Sequence, residues 1–73
     1  MADQTLDTKG MACPLPILKA KKAMDGLEKA QTLEVLATDP GSVPDFDAFC
    51  ETTGYTLLES DEAAGVYRFL IQK

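Results

Sequence analysis

Histidine is absent from this chain, and its absence removes several chemistries at once. A cysteine-protease arrangement needs a histidine base beside the thiol. Structural zinc usually takes four Cys or His ligands at short spacings, and Cys13 and Cys50 are the only cysteines. No metal and no cofactor are therefore expected. Basic residues are also scarce, seven against twelve acidic ones, for a formal net charge of -5. A nucleic-acid binder needs a basic stripe to displace counterions from phosphate, so no direct nucleic-acid partner is expected. An acidic protein tends instead to meet basic partner patches. No apolar run approaches the ~20 residues that span a bilayer, and the start, MADQTLDTKG, has no basic region and no apolar stretch. The expectation is a cytoplasmic protein with no membrane partner. Thiols are mostly reduced there, which disfavours a Cys13–Cys50 disulfide.

What remains is an ordinary globular composition, 45% hydrophobic and 26% charged over 73 residues. Residues 1–73 are read as a single domain, without repeat or linker. A domain of this size buries only ~60% of the surface its unfolded chain exposes. A deep substrate cavity and a core do not both fit, so chemistry is expected near the surface.

Periodicity gives strand, helix, strand, helix, strand, strand. Gln4–Thr8 reads as a first strand, with Gly10 as punctuation after it. A helix is predicted over residues 14–27, with Ile17, Ala20, Met24 and Leu27 as its buried stripe. Residues 32–38 alternate, with Leu33, Val35 and Ala37 on one side and Glu34 on the other. Asp39-Pro40-Gly41 reads as a turn. Ser42 is the expected cap of a second helix, with Asp45 completing a capping box and Phe46, Phe49 and Cys50 on one face. Gly54 is its expected stop. Residues 55–59 and Val66–Gln72 read as the last strands, joined by residues 60–65 as an antiparallel hairpin. The predicted fold is an α/β (α+β) two-layer sandwich of βαβαββ order, a four-stranded mixed sheet with two helices on one face.

Chemistry points to Cys13-Pro14-Leu15-Pro16. Pro14 falls at the first helical position, where a missing N–H is no loss. Pro16 still lies in the first turn, where N–H groups have no partner inside the helix. The cysteine thus sits at a stiff helix start. The thiolate is the nucleophile, and a helix N-terminus lowers the thiol pKa. Lys19, Lys21 and Lys22 follow within two turns and favour an anionic sulfur. On the helical wheel Leu15 and Leu18 fall away from the buried stripe, among Lys19 and Lys22, as a small partner-docking patch. The competing reading of Cys13 is a small buried hydrophobe. Residue pattern alone supports an activated thiol and names no reaction. Cys50 reads as a buried structural thiol, with a resolving cysteine as the alternative. The acidic runs 45–47 and 59–62 read as solvated caps and turns, and Tyr67 and Phe69 as packing strand residues.

At these residues the chain resembles the TusA family of sulfur carriers, also called SirA-like. The likeness starts at Leu6-Asp7 and the glycine before the cysteine. It continues through Cys13-Pro14-Leu15-Pro16, the family's Cys-Pro-x-Pro signature. Thr38-Asp39-Pro40, Asp45-Phe46 with Phe49-Cys50, and Tyr67-Arg68-Phe69-Leu70-Ile71 extend it over essentially the whole chain. The resemblance implies the same βαβαββ sandwich and a persulfide carried on Cys13, with Pro14 and Pro16 shaping the site. It implies a sulfurtransferase-type carrier that works only with partner proteins. Sulfur would arrive from a rhodanese or a cysteine desulfurase and leave to an acceptor cysteine of DsrE or TusD type. Family members serve dissimilatory sulfur oxidation, tRNA thiolation or molybdenum-cofactor supply, and residues 39–49 look somewhat more like members from sulfur-oxidising bacteria. The free carrier is expected to be a monomer. Two other readings are a non-catalytic regulatory or protein-interaction module of the same fold and an RNA-binding domain, the latter opposed by the acidic charge.

Overall fold

Leu33, Val35 and Ala37 recur at every second position, and a strand is the conformation that turns all three to one side. They lie buried in β2 (Thr32–Ala37). The computed structural model describes residues 3–12 and 15–73. Around β2 the chain runs β1 (Gln4–Thr8), α1 (Leu15–Asp25), β2, α2 (Ser42–Thr53), β3 (Thr56–Ala63) and β4 (Val66–Gln72), the predicted βαβαββ order. The strands form one mixed sheet in the order β1-β2-β4-β3. β1 is parallel to β2, with Leu6 beside Val35. β4 is antiparallel to both neighbours, setting Phe69 between Val35 and Ser60. Ala20 and Met24 of α1 and Phe46, Phe49 and Cys50 of α2 share one core with Leu33, Val35, Phe69 and Ile71. These strand residues occupy one face of the sheet, so both helices cover that face.

Three local expectations are corrected. β3 continues through Ala63, so residues 60–63 are strand and not connecting loop. The turn is Ala64-Gly65, with φ of 52° and 82°. Positive φ at both central residues suits the right-handed twist of a two-residue hairpin. The acidic run 59–62 is therefore exposed strand, held by a cation across the ladder. The Arg68 guanidinium donates to Glu59 Oε1 at 2.7 Å and Asp61 Oδ2 at 3.1 Å, and also reaches Glu34 on β2. A register irregularity between Leu57 and Glu59 breaks the alternation there and leaves Leu58 44% exposed.

Ser42 does not cap α2. The N-cap is Gly41, which makes no side-chain cap bond, and Ser42 lies buried inside the helix. Its Oγ has no hydrogen-bond partner among the described residues. Asp39 starts the helix instead. Its Oδ1 accepts the Gly41 N–H at 3.0 Å and its carbonyl accepts the Ser42 N–H at 2.9 Å, an Asx-type turn. At the far end Gly54 adopts φ 83° and donates to the Cys50 carbonyl, the predicted stop.

α1 ends at Asp25, two residues short of the prediction. The N–H groups of Gly26 and Leu27 bond three residues back, to Ala23 and Met24, so the last turn tightens. Lys73 closes this end. Its Nζ donates to the Met24 carbonyl at 2.8 Å and the Leu27 carbonyl at 2.7 Å, a cation at the negative end of the helix.

Candidate functional site

β1 ends at Thr8, and the chain must turn there to enter α1. Thr8 is buried, and its hydroxyl donates to the Leu36 carbonyl at 2.6 Å. Next comes a tight turn with Gly10 at φ 81°, a region that glycine enters without steric penalty. The Lys9 N–H donates to Asp7 Oδ1 at 2.9 Å, and the Met11 N–H to the Thr8 carbonyl at 3.1 Å. The Gly10 N–H crosses to Thr38 Oγ1 at 2.9 Å. The Leu15 N–H donates to the Ala12 carbonyl at 3.0 Å, just as α1 opens. α2 opens directly after β2, so both helix starts lie beyond the carboxyl ends of the parallel pair. Sites in α/β sheets concentrate at that edge.

Cys13 and Pro14, the predicted carrier and one of the two predicted site-shaping prolines, lie outside the described residues. Pro16 is buried in the first turn of α1. That first turn holds no acidic side chain, whereas α2 has Asp45 in its own. A carboxylate there would compete with an anionic sulfur for the positive helix end, and α1 has none.

Leu15 and Leu18 are 48% and 57% exposed, and Lys19 and Lys22 are exposed beside them. The structure thus brings the four predicted docking residues to the outer surface of α1. Lys19 and Lys22 also border a hollow of about 260 Å³ with Leu6 and Ala23. Lys21 faces another way. With Ile17 it lines a second hollow of about 400 Å³, closed on the other side by Asp45, Ala48 and Phe49 of α2. Sequence reasoning missed this groove. Ile17 was assigned to the buried stripe, yet it is half-buried at the groove wall. The signal lay in two apolar positions on different helices, and no periodicity within one helix pairs them.

Cys50 is a buried free thiol in α2. Burial, and then the charge of Asp47, pushes its pKa above the ordinary 9.0. The thiolate is the reactive form, so Cys50 is held inert. Its carbamidomethylation by iodoacetamide in the native protein is expected to be at least ~100-fold slower than in denaturant, an opening free energy of about 2.7 kcal/mol. The linkage sign follows. Above pH 9 the unfolded chain loses this proton before the folded chain does, so the folded state binds more protons and stability falls as pH rises. A native rate equal to the unfolded one, or stability rising through that range, would contradict the assignment. Among the described residues no group of three His, Cys, Asp or Glu side chains is disposed to hold a metal ion, and no helix is long and apolar enough to cross a membrane.

The family model described as sulfurtransferase TusA matches residues 4–73. Over 71 residues the chain is 56% identical to the sulfur carrier protein TusA of Allochromatium vinosum, covering 97% of this chain and 93% of that one. It is 49% identical over 72 residues to a protein of Neisseria meningitidis serogroup A named as a candidate sulfur carrier, covering 99% and 97%. The crystal structure of a SirA-like protein from Desulfitobacterium hafniense superposes with a TM-score of 0.82 at 30% identity, over 94% of this chain and 95% of that one.

Proposed function

We propose that this chain, which belongs to the TusA family of sulfur carriers, holds sulfane sulfur as a persulfide on Cys13 and passes it between proteins. The observation that supports the reading is the sequence Cys13-Pro14-Leu15-Pro16, whose last two residues open α1 in a first turn free of acidic side chains, beyond the carboxyl ends of β1 and β2. The Cys13 thiolate attacks the outer sulfur of a donor persulfide. The donor S–S bond breaks, its thiolate leaves with the electron pair, and one S–S bond forms at Cys13. An acceptor thiolate then repeats the step on Cys13. The number of S–S bonds is conserved, so neither oxidant nor reductant is consumed. Each partner supplies half of the site, and a single small domain over residues 1–73, monomeric when free, suffices. The donor is a rhodanese or a cysteine desulfurase and the acceptor a cysteine of DsrE or TusD type. The setting is cytoplasmic sulfur trafficking, in sulfur oxidation or tRNA thiolation.

Intact mass after incubation with thiosulfate plus rhodanese, or cysteine plus desulfurase, tests the reading. The expected gain is one sulfur atom, ~32 Da, removed by reductant. No gain with either donor would favour the interaction-module reading.

Leu15 and Leu18 are proposed to seat the partner, with Lys19 and Lys22 steering it. The Leu15→Ala/Leu18→Ala double variant is expected to raise the donor's KM for the carrier by about tenfold, as central apolar contacts do. Exposed side chains contribute little to folding, so the melting temperature moves by less than ~3 °C. A large melting loss with unchanged KM would make both residues ordinary packing.

A further inference from the structure

We propose that Thr38 is a positioning residue for sulfur transfer: its hydroxyl, by accepting the Gly10 N–H, fixes the loop that leads from β1 into α1 against the end of β2. The inference rests on Cys13 as the carrying thiol.

The described part of this loop is ordered by local bonds and by one distant bond. The local ones run from the Lys9 N–H to the Asp7 carboxylate, from the Met11 N–H to the Thr8 carbonyl and from the Leu15 N–H to the Ala12 carbonyl. They give the turn its shape. They do not tie the turn to β2. The Gly10 N–H to Thr38 Oγ1 bond, at 2.9 Å, joins residues 28 apart in sequence. Among the described residues it is the one hydrogen bond that ties residues 9–12 to a part of the fold other than β1 and α1, the two elements they connect. A loop held at its two ends gains a further fixed point between them when its middle is bonded to a neighbouring strand end.

The anchor is rigid. Thr38 directly follows β2, which is paired on both sides, by β1 and by β4. Gly10 holds a positive φ that most side chains resist, so the N–H direction is itself defined. Both Thr38 and Gly10 are exposed, so water replaces the bond when the hydroxyl is removed, and folding changes little. Attack of one sulfur on another is more demanding, because a misplacement of about 1 Å can lower a rate ~100-fold.

The test compares Thr38→Val and Thr38→Ala with wild type, and Thr38→Ser as the restoring variant. Loading by a thiosulfate-charged rhodanese is followed by intact mass at several carrier concentrations. In Val and Ala, kcat is expected to fall about tenfold while KM stays within about twofold. Ser returns kcat to within about twofold of wild type, and all variants melt within ~3 °C of it. Unchanged kcat in Val and Ala overturns the inference, as does Ser as slow as Val or a loss of rate that tracks a loss of folded protein. Normal loading of wild type and Thr38→Val alike overturns this inference alone. Failure of wild type to load overturns the carrier reading, and this inference with it.

Discussion

Cys13→Ser is expected to take up no sulfur from either donor, with a melting temperature within ~3 °C of the parent's. Serine keeps the size and the hydrogen-bonding capacity of the position but ionises far less readily, so the nucleophile is lost. Removing the nucleophile from an activated set lowers rates by factors up to ~10⁶, and here loading should drop at least ~10³-fold, below detection by intact mass. Cys50→Ser is the matched control. Cys50 is buried and held protonated, so its removal leaves the loading rate within about twofold of wild type. A Cys13 persulfide that lasts no longer in Cys50→Ser than in wild type would exclude the resolving-cysteine alternative. A mass gain that persists in Cys13→Ser and vanishes in Cys50→Ser would put the chemistry on α2 and reverse the assignment of the two thiols.

The parts of this molecule legible in its sequence are those set by neighbours a few residues away. β2 declared itself through Leu33, Val35 and Ala37. The end of α2 followed from Gly54, and the outward turn of Leu15 and Leu18 from the wheel of one helix. Of the signature Cys13-Pro14-Leu15-Pro16, the described residues Leu15 and Pro16 open α1 as the double-proline pattern predicts. What escaped depends on contacts across the fold. β3 runs on to Ala63 because it pairs with β4, where Arg68 also gathers Glu34, Glu59 and Asp61 from two other strands; read alone, an acidic run looks like a turn. Lys73 closes α1 from 49 and 46 residues away. The groove at Ile17 and Phe49 needs two helices to exist. Ser42 was misread for a different reason. Asp39 and Ser42 are both good helix starters within one turn of each other, and the carboxylate, which reaches the Gly41 N–H, prevailed.

Phe46→Ala is expected to bring the protein close to unfolding, and it separates structural from chemical loss. Phe46 is fully buried and forms the junction between α2 and the sheet. Its ring stacks on Phe69 of β4 with centroids 4.6 Å apart and planes 25° apart, and meets Phe49 edge-on at 6.1 Å and 83°. Phe69 in turn lies between Val35 and Ser60, so the ring packs on β4, the strand that pairs with both β2 and β3. Removing a buried phenylalanine ring costs ~3–5 kcal/mol, transfer term and cavity together. At ~0.05–0.15 kcal/mol per residue, a 73-residue chain has about 4–11 kcal/mol in all. The melting temperature should fall by at least ~12 °C. Cys50, one turn along the same helix, serves as an internal reporter: its reaction with iodoacetamide accelerates by the same equilibrium factor as α2 opens. Sulfur loading should decline only in proportion to the folded fraction and recover on cooling, whereas Cys13→Ser is inactive at every temperature. Little change in melting would mean that the aromatic stack does not hold α2 to the sheet. Lost loading in protein that is still fully folded would mean that the core sets the site more directly than the hydrogen bonds of the β1–α1 loop do.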